Sequence, residues 1–221
     1  MQDNLFNAQT TRAASVLETN KVLRNTYLLL SMTLLFSTVS SIACMALQIS
    51  HGTSLFMSLA ALGMIFFVLP RTQNSTSGIW TVFAFAGLIG GSLGPMLNYY
   101  LALSNGSQLI GQALGGTAVV FFGLSGYALT TKKDFSFMGG FLIVGLLVAI
   151  IASIANIFMQ IPAMSLAISA GIVLIMSGLI LFDTSRIING GETNYIRATV
   201  SLYLNIINLF TSLLHLLSSR D

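Results

Sequence analysis

Residues 130–186 read TTKKDFSFMGGFLIVGLLVAIIASIANIFMQIPAMSLAISAGIVLIMSGLILFDTSR, and this stretch decides the fold. Lys132 and Lys133 stand at one end and Arg186 at the other, and no Asp, Glu, Lys or Arg interrupts the run between Asp134 and Asp183. The run is too long for one membrane crossing, and Gln160 and Pro162 part it near its middle. It therefore reads as two spans, 137–159 and 163–182, joined by a short turn. A helix rising ~1.5 Å per residue needs about 20 residues to cross a hydrocarbon core of roughly 30 Å, and both segments reach that length.

The same test, carried outward, finds five more segments: 26–47, 54–69, 79–100, 109–130 and 198–217. The nine basic and six acidic residues of the 221-residue chain all fall outside the seven. Only 54–69 is short, so it should extend into its flanks or sit beside thinner bilayer. Barrel strands would alternate apolar and polar over about ten residues, and none of the segments does. The expected fold is all-α, a polytopic bundle of seven transmembrane helices.

Composition excludes the alternatives. Charged residues make 7% of the chain and hydrophobic ones 55%, against roughly 25% charged in an ordinary soluble domain, and mean hydropathy is +0.87. Neither a soluble globule nor a disordered chain carries so much apolar surface. One cysteine, Cys44, excludes a disulfide scaffold or a thiolate metal cluster and reads as membrane core. The isoelectric point near 9.2 comes from scattered basic residues with no phosphate-binding run, so nucleic acid is not a partner.

Charge placement predicts orientation. With the N-terminus in the cytoplasm, that side receives Arg12, Lys21, Arg24, Arg71, Lys132, Lys133, Arg186 and Arg197, and the opposite side only Arg220. Residues 1–25 read as a cytoplasmic tail rather than a signal peptide, 26–217 as the bundle and 218–221 as a short periplasmic end. Loops on both sides are short, so the activity belongs within or beside the bilayer.

Glycines predict the packing. Gly87, Gly90, Gly91 and Gly94 give the third span one face without side chains, and Gly111, Gly115 and Gly123 mark the fourth. Close helix approach is the expectation for both stripes. A phosphate loop is excluded because no Lys-Ser/Thr follows. Pro95 should kink the third span.

In the seventh span Ser201, Asn205, Asn208, Ser212 and His215 recur at steps of four, three, four and three. Such a polar face is expected to turn inward, towards other helices or a water-filled cavity. The candidate partner is Asp183, because Ile187 and Ile188 suggest that the sixth helix continues past it and draws its carboxylate about one turn inside the interface. Pairing with Arg186 or solvation by the following loop is the competing reading.

Enzyme motifs fail on topology. Gly123-Leu124-Ser125-Gly126 matches an intramembrane serine protease pattern, but Ser125 lies near the cytoplasmic end of its span and His215 near the outer end of another. An aspartyl protease needs two carboxylates, and Asp183 stands alone. His51 and His215 lack a third ligand, so no metal or other cofactor is expected. The chain reads as a non-enzyme.

At the end of the chain the residues resemble a known signature. Leu181-Phe182-Asp183-Thr184, Gly190-Gly191-Glu192-Thr193-Asn194-Tyr195 and Leu202-Tyr203-Leu204-Asn205-Ile206-Ile207-Asn208-Leu209-Phe210 resemble the C-terminal motif of the Bax inhibitor motif family of seven-helix membrane proteins. Lys21-Val22-Leu23-Arg24-Asn25-Thr26-Tyr27, Gly94-Pro95-Met96-Leu97-Asn98, Leu114-Gly115-Gly116-Thr117-Ala118, Thr130-Thr131-Lys132-Lys133-Asp134 and Ala155-Asn156-Ile157-Phe158 resemble its bacterial branch. The resemblance covers nearly the whole chain from about Glu18.

It implies a bacterial inner-membrane protein that binds and restrains the ATP-dependent membrane protease FtsH. The alternative it implies is a pH-sensitive calcium leak channel. Members with that activity have an Asp in the sixth helix, matched by Asp183, and a second in the seventh, where this chain has Asn205. An Asp beside an Asn cannot share a proton as two acids do, which weakens the channel reading. The candidate gating or ion contacts are Asp183, Asn205, Arg186 and Asn208. The long polar N-terminal tail, with Met1, Arg12, Glu18 and Lys21, is the expected grip for a protease that extracts membrane proteins.

Overall fold

The computed structural model describes the backbone of residues 2–219 and the side chains of residues 17–219. Met1, the side chain of Arg12, Arg220 and Asp221 lie outside the described residues. Nine α-helical segments form seven spans among the described residues. The first span is α1 (Gln2–Ala46), which runs without a break from the polar N-terminal segment into the membrane. Val22 and Leu23 already pack against the core, so the bundle begins about a turn before residue 26.

The second span consists of α2 (His51–Gly63), a π-helical turn (Met64–Val68) and α3 (Leu69–Thr72). It reaches 22 residues by extending into both flanks. The wide turn has a local cause in Pro70, which lacks an N–H and crowds the carbonyl one turn back. The third span breaks at Leu93 into α4 (Ser77–Ser92) and α5 (Gly94–Leu101), with Pro95 in the first turn of α5. The rest are α6 (Gly106–Thr131), a 3₁₀ turn (Ser136–Met138) leading into α7 (Gly139–Met159), α8 (Pro162–Ile188) and α9 (Tyr195–Ser218). Arg24, Arg71, Lys132, Lys133, Arg186 and Arg197 gather at one end of the bundle, here called the basic end. There Asp134 accepts the Ser136 N–H at 2.8 Å. Bonds from the Ser136 hydroxyl and N–H hold its carboxyl below the usual carboxylate range.

α9 is the central helix. Leu202, Tyr203, Leu209 and Leu214 are completely buried. The Tyr203 hydroxyl lies 2.7 Å from Ser37 Oγ of α1 and donates to the Ala86 carbonyl of α4 at 3.2 Å. Its ring meets Phe85 edge to face, with centroids 5.6 Å apart. One aromatic side chain thus joins three spans by apolar contact and satisfied polar bonds. Asn194 caps α9 through bonds from the N–H groups of Ile196 and Arg197, and its amide donates to the Gln73 carbonyl before α4.

The two glycine stripes behave differently. A Cβ at Gly90 would strike Ser37 of α1, and one at Gly94 would press on Cys44. Ser40 Oγ donates to the Gly87 carbonyl at 2.7 Å. The third-span stripe is therefore a close α1–α4–α5 seam. The expectation for the fourth span is corrected: a Cβ added at Gly111, Gly115 or Gly123 would meet no neighbouring helix within 4 Å. Leu109, Ala113, Thr117, Phe121, Ser125 and Ala128 form the buried face of α6, and the glycines flank it. Glycine spacing marks a face that allows close approach, not one that has a neighbour.

Candidate functional site: a buried carboxylate between α8 and α9

α8 continues five residues beyond Asp183 to Ile188, which draws the carboxyl inside the bundle at 8% exposure. Ser201 Oγ donates to Asp183 Oδ2 at 2.5 Å, and Asn205 Nδ2 donates to the same oxygen at 2.8 Å. Ser201 and Asn205 are four apart on α9, so one helical face presents both donors. A bond to a charged acceptor is worth roughly 1.5–3 kcal/mol, and a buried carboxylate without donors would cost more than that.

Arg186 is not part of this contact. Its Nη2 donates to the Gly191 carbonyl at 3.1 Å and lies 3.9 Å from Glu192, while its guanidinium stacks on Phe182 at 5.5 Å. Glu192 also takes Arg197 at 2.8 Å, so the α8–α9 loop is closed by its own ion pairs. Asn208 is corrected as well. It is exposed, and its amide donates back to the Leu204 carbonyl at 2.9 Å. Position 208 sits at the edge of the polar stripe, away from the α8 contact. The rest of the stripe turns inward as expected: Asn205 and Ser212 are buried, and His215 Nε2 lies 3.0 Å from Ser165 Oγ of α8.

A second set of polar contacts, which the spacing of α9 did not reveal, is made by the next two residues of α8 towards the basic end. Thr184 Oγ1 lies 3.4 Å from the Tyr27 hydroxyl of α1 and 3.3 Å from Ser125 Oγ of α6. Ser185 Oγ donates to the Lys133 carbonyl and accepts the Phe135 N–H, both at 3.0 Å. The run Asp183-Thr184-Ser185 therefore fastens α8 to α9, α1, α6 and the turn before α7. The only early signal was three consecutive polar residues at the end of an apolar run.

Ser125 and His215 are far apart. Their α8 partners, Thr184 and Ser165, stand nineteen positions apart on one helix, roughly 28 Å. No nucleophile–base pair can form between them. Among the described residues no three His, Cys, Asp or Glu side chains come together.

Six apolar spans packed against a seventh that carries a polar stripe, with an acid held between the last two, make a multi-pass membrane bundle. The model for "Inhibitor of apoptosis-promoting Bax1" matches residues 19–221, and the chain belongs to that family. It is 53% identical over 209 residues, 94% of each chain, to a protein of Escherichia coli K12 called "Modulator of FtsH protease YccA". A Vibrio cholerae protein called "Uncharacterized membrane protein" is 57% identical over 210 residues, again 94% of each chain. An uncharacterized protein of Pseudomonas aeruginosa is 47% identical over 199 residues, 90% of this chain and 89% of its own. The chain is a multi-pass inner-membrane protein.

Proposed function

We propose that this protein is a non-catalytic modulator of an FtsH-type membrane protease, acting as a client that the protease grips but extracts slowly. The observation that carries the reading is the 53% identity, across 94% of both chains, to the Escherichia coli modulator. Two features support it physically. α1 continues into a polar N-terminal segment beyond the bundle, which offers an ATP-driven protease an end to hold. The bundle behind it is cross-tied by polar layers at Asp183, Thr184, Ser185 and Tyr203, all of which must open before a helix can leave the membrane.

The grip residues are Glu18 and Lys21 together with Met1 and Arg12, and the basic end faces the cytoplasm, where eight of nine basic residues then lie. Asp183 and Asn205 form a lock rather than a gate, because the amide holds the carboxylate without a shared proton. The test is the half-life of the full chain and of a chain lacking residues 2–21, with and without active protease. The shortened chain persists longer only when the protease is active. Equal half-lives overturn the reading.

A further inference from the structure

At the basic end a cavity of about 620 Å³ opens between α1, the end of α6 and the α8–α9 loop. A smaller cavity of about 250 Å³ adjoins it between α1 and α6, and Asn20, Leu23 and Leu129 line both. We propose that this groove binds the phosphodiester headgroup of an anionic phospholipid, held by Lys21, Arg24 and Lys132.

Charge carries the argument first. Lys21 and Lys132 line the larger cavity and Arg24 the smaller, and none of the three has an acidic partner within 4 Å among the described residues. Two acids also line the larger cavity. Glu192 is already engaged by Arg197 and Arg186, so its charge is met. Glu18 alone opposes three cations, which leaves the groove positive by about two charges. That is the sign a lipid phosphate requires.

Depth and shape commit the site to a lipid rather than to a soluble phosphate. Lys132 ends α6 in a left-handed conformation, φ 52°, one residue past the last turn of a membrane span. The cations therefore lie at headgroup level. Deeper in the groove, Leu23, Leu129 and Tyr27 give an apolar wall, with the Tyr27 ring backed by the buried Phe121 at a centroid distance of 6.0 Å. A headgroup at the cations would send its acyl chains along exposed Leu28 and Tyr127, on the lipid side of the same two helices. This inference does not depend on the proposed protease partner.

The test is native mass spectrometry of the full chain in micelles holding equal amounts of phosphatidylglycerol and phosphatidylcholine. The expected result is one saturable phosphatidylglycerol adduct, favoured tenfold or more. A basic residue near a membrane surface contributes about fivefold to anionic lipid binding. Lys132→Gln and Lys21→Gln, on two different helices, should each weaken the adduct about fivefold. Lys133→Gln, adjacent in sequence but not lining the groove, should leave it unchanged. Equal retention of the two lipids overturns the proposal, as does an equal loss in Lys133→Gln. So does displacement of the adduct by glycerol 3-phosphate at matched concentration, which would mark a soluble phosphate site.

Discussion

At the scale of single residues, the Asp183 carboxylate depends on two donors from one turn of α9. Asn205→Ala leaves Ser201 as the only donor and should cost roughly 1.5–3 kcal/mol, read as a lower unfolding midpoint in detergent. Asn205→Asp has a different signature. The Asn amide donates at every pH, whereas two carboxyl groups can form the contact only when they share a proton. Crosslinking of α8 to α9 should be flat with pH in the native protein and pH-dependent in the variant. Identical profiles would show that the amide does not govern the contact. The opposite change is expected at Thr26, whose Oγ1 is buried without a hydrogen-bond partner. Thr26→Val keeps the shape and removes the unsatisfied group, so the unfolding midpoint should stay level or rise by about 1 kcal/mol equivalent.

At the scale of elements, two glycines of similar sequence context should respond in opposite ways. Gly90→Ala drives a methyl group into Ser37 of α1 and should cost at least about 1–3 kcal/mol as the α1–α4 seam is forced apart. Gly115→Ala meets open space and should gain roughly 0.5–1 kcal/mol, because Ala is the better helix former. Thermal unfolding of the two variants side by side checks both signs. The same pair shows how far the sequence could be read. Charge-free segments marked the seven spans, Pro95 marked the break in the third, and the missing side chains of Gly87, Gly90 and Gly94 were enough for a close seam. Whether Gly111 and Gly115 have a neighbour depends on which face of α6 the bundle uses, and that is a tertiary choice. The site followed the same rule. The spacing of α9 aligned Ser201 and Asn205, and the resemblance matched Asn205 to the position that faces Asp183. Spacing could not show that Asn208 falls at the edge of the stripe, nor that Arg186 turns to its own loop. The polar layer of Thr184 and Ser185 needed the positions of α1 and α6.

At the scale of the whole molecule, α9 ties most of the bundle together, and the outer helices are held mainly by their packing against inner ones. α7 shows this best, with Phe141, Val144, Val148 and Ile151 exposed on its lipid side. Lipid solvates such a surface, so it needs no further partner. The proposed orientation yields its own prediction. In a Cys44→Ser background, a cysteine at Lys133 should react with an impermeant thiol reagent only from the cytoplasmic side, and one at Ser104 only from the periplasmic side. The reverse pattern would move the N-terminal segment out of reach of a cytoplasmic ATPase.

The central claim is that this bundle engages a membrane protease, and co-purification of the tagged full chain from native membranes tests it most directly. The account predicts that an FtsH-type protease is recovered with the full chain in amounts well above those found with an unrelated seven-helix protein. Recovery no greater than with that control, from membranes in which the protease is present and active, would contradict it.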